Sequence, residues 1–260
     1  NTAVGDQALE ANTTGHSNTA VGETSLDSNT TAIYNSAVGR QTLQAVTTGS
    51  NNSALGYRGG AGITTGANNI MLGVDAGYYS TITTTGDANI LIGNYAMTSS
   101  SSGNEQSVLG YNVTGSGNST FTFGSGGSDT TCSFGGTSWS APSDQRMKED
   151  IVTATAGLSF INDLRPVNFK WKKEKDIPTT LNGYKKDSET RFKTDTTQHG
   201  FIAQEVKTAI DAHSELKDGF DMWSEDTSDG RQRLGETALI PILVKAIQEL
   251  SAKVTALESA

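Results

Sequence analysis

Near the middle of this 260-residue chain, the run SDQRMKED places a serine, Ser143, five residues ahead of a lysine, Lys148, with Asp144 directly after the serine. A serine hydroxyl is a poor nucleophile until a base takes its proton. A lysine can be that base when burial weakens its hold on its own proton, so such a pair works without histidine. The same residues also read as the start of a helix near Gln145, with Ser143 and Asp144 as caps. Both readings can hold at once. The three histidines, His16, His199 and His213, have no metal-ligand spacing, so neither a metal nor another cofactor is expected. The Gly-rich run at 124–127 does not lie between a strand and a helix, so it makes no phosphate cradle. The lone cysteine, Cys132, sits in a Gly/Ser-rich stretch and is expected to be a small strand residue.

The surroundings of this run change abruptly in character. Residues 1–143 contain Arg40 and Arg58 as the only cations and eight acidic residues, whereas 144–260 hold 17 cations and 20 anions. Such a shift implies two segments built on different physical plans. The net charge of -9 argues against nucleic acid as a partner, because phosphate neutralisation needs a basic surface. No run approaches the length of a membrane span, so no membrane insertion is expected. The sequence opens inside a repeat at Asn1, and the natural N-terminus is expected to lie further upstream.

That repeat is the main signal of the first segment. NTAVG occurs at 1–5 and 18–22, NSAVG at 35–39 and NSALG at 52–56, with looser copies NIMLG, NILIG and QSVLG ending at Gly73, Gly93 and Gly110. The glycines are 17 apart except for one interval of 20. Each unit has a short β-prone piece, a glycine, a second short piece such as 6–9, and a polar turn. Two or three apolar side chains per unit cannot form a core alone, so the units must stack as rungs of a solenoid. A disordered linker of the same composition has no reason to hold an aliphatic-Gly pair in phase for seven copies. Between 113 and 143 the phase is lost, and alternating patches at 119–123 and 131–134 predict a β-rich neck. At the other end, Ile240, Leu243, Ile247, Leu250, Val254 and Leu257 are spaced 3, 4, 3, 4, 3, the seam of a coiled coil. The charged stretch 172–193 reads as a solvated hairpin or arm.

Taken in order, the segments GTSWSAPSDQRMKEDI (136–151), LRPVNFKWK (164–172), HGFIAQEV (199–206) and LIPILVKAIQELSAKVTALE (239–258) resemble the C-terminal intramolecular chaperone of phage tailspikes, endosialidases and neck appendages, the peptidase S74 family. The preceding repeat resembles the β-roll repeats of trimeric autotransporter adhesin heads and phage fibre shafts, although those adhesin repeats are commonly shorter. The resemblance implies hydrolysis of the bond between Ser143 and Asp144, with Ser143 and Lys148 as the catalytic pair and no action on external substrates. It also places His199, Gln204 and Glu205 in a shared motif, as candidate support for the cleavage centre.

Attack by Ser143 on its own carbonyl would close a four-membered ring. Attack across chains, or attack by water or by the Asp144 carboxylate with Ser143 and Lys148 assisting, therefore stays open. The expected organisation is a β-roll or solenoid shaft over 1–112, a β neck over 113–143, and an α+β chaperone with a long terminal helix over 144–260. The implied partner is the chain itself, as a homotrimer; the seam's residue choice alone favours two strands. The implied location is the virion tail fibre, after synthesis in the host cytoplasm. Tyr34, Tyr57, Tyr78 and Tyr79 are candidates either for contact with a host-surface glycan or protein receptor or for packing in the shaft. Two other architectures share parts of this pattern: a non-cleaving trimeric adhesin head, and membrane-tethered trimeric transcription factors. The latter need a DNA-binding domain, for which an acidic repeat is a poor candidate.

Overall fold

The computed structural model describes residues 1–260, which divide into two compact units, Asn1–Glu149 and Asp150–Ala260. In the first unit, every repeat contributes one strand to a single sheet: β1 (Thr2–Val4), β2 (Thr19–Val21), β3 (Ser36–Val38), β4 (Ser53–Leu55), β5 (Ile70–Leu72), β6 (Ile90–Ile92) and β7 (Gln106–Tyr111). These pair in parallel and in chain order, each residue facing its equivalent one repeat on, as in Ala20 with Ala37. The sheet continues past the repeats. β8 (Thr120–Ser125) pairs in parallel with β7, and β9 (Ser128–Ser133) folds back against β8 as an antiparallel hairpin. The 20-residue interval is absorbed in the turns, since Ile70 still faces Ile90.

Side chains alternate along a strand, so the middle residue of each triplet points inward. Ala20, Ala37, Ala54, Met71, Leu91 and Val108 are buried, while Val4, Val38, Leu55, Ile92 and Leu109 on the opposite face are exposed. The residue before each strand builds a second internal column. The Oδ1 of Asn18, Asn35, Asn52 and Asn69 accepts a bond from the backbone N–H of Asn35, Asn52, Asn69 and Asn89 respectively, at 2.9 to 3.0 Å. Each rung is thereby tied to the next by a buried side chain.

The second piece of each repeat is a run of turns and not a strand. Gln7 and Leu9 have φ of 55° and 57°, and the pattern recurs at Thr24 and Leu26 and at Gln41 and Leu43. Left-handed backbone costs a non-glycine residue about 1 kcal/mol. The rung repays it locally: the N–H of Thr24 reaches the carbonyl of Asp6 at 2.8 Å, and Leu26 and Leu43 fill the narrow core. The glycine ahead of these turns meets a harder constraint. Gly39 has φ of +132°, and a Cβ there would lie 2.5 Å from the carbonyl oxygen of Gly56 in the next rung. Only glycine allows that approach.

The second unit is α+β. It contains α1 (Leu158–Asp163), α2 (Ala203–Ala212), α3 (Leu239–Glu258) and two antiparallel strand pairs, β10 (Val167–Phe169) with β11 (Gln198–Gly200) and β12 (Trp223–Glu225) with β13 (Gln232–Leu234). Phe160, Val206, Ile210, Met222, Leu239 and Ile242 form its core. α3 also caps α1, because Glu249 accepts the N–H of Leu158 at 3.0 Å. The charged stretch 172–193 is less solvated than its composition suggests. Its Glu174 is buried and accepts bonds from Lys185 (2.8 Å) and Ser188 (2.7 Å).

Candidate functional site

The segment that carries Ser143 is anchored on its N-terminal side. Ser140 and Thr131 exchange two backbone bonds of 2.9 Å, and the ring of Trp139 stands edge-on to Phe121 and Phe123, at 5.9 and 5.5 Å. Beyond it, Gln145–Met147 form a single turn of 3-10 helix capped by Asp144, whose Oδ1 accepts the N–H of Arg146 at 2.9 Å. Lys148 leaves this turn with extended backbone (φ -126°, ψ 143°), and its Nζ donates to Ser143 Oγ at 2.7 Å. Capping and pairing in this run therefore fall on different atoms: Asp144 caps the turn, while Lys148 Nζ bonds to Ser143 Oγ.

The Asp144 carboxylate has a further partner that sequence reasoning missed. Arg146 Nε lies 3.0 and 3.1 Å from its two oxygens, and Arg146 Nη2 lies 2.5 Å from Oδ2. This fork, with the backbone bond from the same residue, holds the Asp144 carboxyl below the usual carboxylate range. A cation two positions after an acidic N-cap was the available signal. All of Ser143, Asp144, Arg146 and Lys148 are exposed in the single chain.

The three candidate support residues lie in the second unit. His199 is the middle residue of β11, opposite Asn168. Together with Gln204 it lines an open hollow of about 690 Å³ whose walls include Trp171, Phe192 and Arg233. Glu205, in the first turn of α2, is paired with Arg165, whose Nε donates to it at 3.0 Å and which holds its carboxyl below the ordinary value. No group of three or more His, Cys, Asp or Glu side chains is arranged to hold a metal ion. No helix is long and apolar enough to cross a membrane.

The shaft tyrosines make contacts within their own unit. Tyr57 lies between Arg40 and Arg58, at 5.8 and 4.8 Å, Tyr78 lies 5.2 Å from Arg58, and Tyr79 stacks on Tyr95 at 4.6 Å. Tyr34 meets His16 edge-on at 5.8 Å.

Residues 143–215 match the family model of peptidase S74, the chaperone of endosialidase. That stretch begins on Ser143 and spans Lys148, His199, Gln204 and Glu205. No curated protein and no solved structure matches the chain. The matched stretch follows, in chain order, a solenoid of stacked parallel strands.

Proposed function

We propose that this chain is the distal part of a homotrimeric tail fibre whose C-terminal domain gathers three copies, sets the register of the shaft and is then released by hydrolysis between Ser143 and Asp144. The observation that carries the release step is the 2.7 Å bond from Lys148 to Ser143, at the first residues of the chaperone domain. Assembly is supported by two apolar faces left open in the single chain. On α3, Ile240, Leu243, Ile247, Leu250, Val254 and Leu257 are all exposed, while Leu239, Ile242 and Ala246 are buried. On the shaft, Val4, Val38, Leu55, Ile92, Leu109 and Phe123 form an exposed column. Contiguous apolar surface of this kind marks an interface.

The chemistry depends on that assembly. A lysine acts as a base near neutral pH only where burial disfavours its charge, and Lys148 is exposed in one chain. Packing of three necks supplies the burial. Lys148 then takes the proton of Ser143 Oγ, and this oxygen attacks the Ser143 carbonyl carbon of a neighbouring copy, which avoids the four-membered ring. The Asp144 nitrogen leaves with the proton held by Lys148. Water hydrolyses the resulting ester, regenerating Ser143 Oγ and leaving a carboxylate at the new chain end. With the chaperone gone, the shaft has lost its folding aid and is kinetically trapped.

Full-length chain on a denaturing gel is expected for Ser143→Ala, Lys148→Ala and Lys148→Arg, since arginine keeps the charge but cannot serve as the base. Processing of any of the three at the normal rate rules out the catalytic pair. Sedimentation of the folded chain as a monomer rules out the trimer.

A further inference from the structure

Asp144 and Lys148 are four residues apart and of opposite charge, which is the spacing at which such side chains pair along a single turn. They do not pair. Lys148 Nζ spends its bond on Ser143 Oγ, while both oxygens of Asp144 are occupied by the guanidinium and the backbone N–H of Arg146. A planar guanidinium fork matches a carboxylate in two places where an ammonium offers one point charge, so Arg146 wins this competition. The other charged groups of the segment are Glu149 and Asp150, and neither forms an ion pair with Lys148.

We infer that Arg146 is a positioning residue of the processing site: by engaging the Asp144 carboxylate it keeps that group off Lys148 and leaves Lys148 free to serve Ser143. This rests on the reading that Ser143 and Lys148 carry out the cleavage. The consequence is chemical as well as geometric. A carboxylate next to an ammonium stabilises the charged form, so a lysine paired with Asp144 would give up its proton only at higher pH. Arg146 removes that obstacle and adds a second positive charge nearby. The same clamp withdraws Asp144 as an attacking group, because its lone pairs are already committed to donors.

The test is the pH dependence of processing. Full-length chain produced unfolded is refolded into buffers from about pH 6 to 9.5, and the product ending at Ser143 is followed by gel and mass spectrometry. Arg146→Gln is expected to slow processing about tenfold at pH 7 and to move the midpoint of the pH profile up by about one unit, with the rate recovered at high pH. Arg146→Lys falls between the two, because it keeps the charge but not the fork. Asp144→Asn in the Arg146→Gln background restores the original midpoint, since no carboxylate remains to capture Lys148. A slower rate with an unmoved midpoint, or a double variant whose midpoint stays where Arg146→Gln alone puts it, whatever its rate, overturns the assignment. The oligomer size of Arg146→Gln in a Ser143→Ala background, expected to equal that of Ser143→Ala, separates loss of positioning from loss of assembly. Wild-type chain that stays whole at every pH overturns the processing reading itself, whatever Arg146 does.

Discussion

In the shaft, a residue's partner is its own equivalent in the next rung: Thr13 bonds to Thr30, Thr30 to Thr47 and Thr47 to Thr64. In the C-terminal unit no such translation exists, and Phe160, Met222 and Ile242 meet from three unrelated parts of the chain. The first design gives many bonds per residue but almost no discrimination, since three copies shifted by one rung would find nearly the same surfaces. The second has an aperiodic core with one solution. On the proposed function, the unit with an aperiodic core would set the alignment that a periodic shaft cannot set for itself.

The comparison breaks most decisively at α3. Replacing Ile247 and Leu250 together with Asp alters residues that are 65 % and 51 % exposed, so the fold of each chain should survive while the proposed trimer and its processed product are both lost. Sedimentation and a denaturing gel read the two effects, and a trimer that persists would move the source of register back into the shaft. Next in size, Gly93→Ala places a Cβ 2.0 Å from the carbonyl oxygen of Gly110 at φ of +129°, and should destabilise the shaft by about 4 kcal/mol. Gly219→Ala, in open space at φ of +78°, should cost about 1 kcal/mol. Thermal melts of the two variants compare a rung glycine with an ordinary turn glycine.

Asn52→Ala sharpens the picture of the inner column. It removes the acceptor for Asn69 N–H at 3.0 Å and the donor to the Gly66 carbonyl at 2.9 Å, both buried, for about 2 kcal/mol in denaturant unfolding. The smallest effect belongs to His213. Asp163 at 2.8 Å, then Glu215, raise its affinity for a proton above the ordinary value. A raised folded-state value means that the contribution is complete below the unfolded value of about 6.5 and fades as pH rises through the folded one. Because both carboxylates are substantially exposed, the contribution is about 1 kcal/mol or less. The melting temperatures of wild type and His213→Gln should therefore differ at pH 5.5 and converge by pH 9.

Much of this was legible because a repeated backbone geometry demands repeated residue types. The pattern Asn, small residue, Ala, aliphatic, Gly contains one rung's recipe: a ladder side chain, an outward and an inward strand position, and a glycine where no Cβ fits. The pairing of Ser143 with Lys148 was legible for a related reason, since five residues is a short enough separation for one tight turn to close. The continuation of the sheet into β8 was not, because the spacing between facing residues drops to 14 there, as between Gln106 and Thr120, and the repeat pattern ends. The turns at 6–9 were also hidden, because left-handed backbone at Gln7 and Leu9 is stabilised by a neighbouring rung and not by the residues themselves.

The sequence by itself determined the period of the shaft, the place of its glycines, the helical seam and the serine-lysine pair, because local spacing and side-chain type decide each of them. Tertiary structure alone decided which stripe of α3 turns inward. Leu239, Ile242 and Ala246 have the same helical spacing as the seam, and only the presence of Phe160 and its neighbours on one side assigns them to the core. It also decided that Asp144 belongs to Arg146 and not to Lys148. Two cations compete for one carboxylate there, and the path of a single helical turn chooses between them.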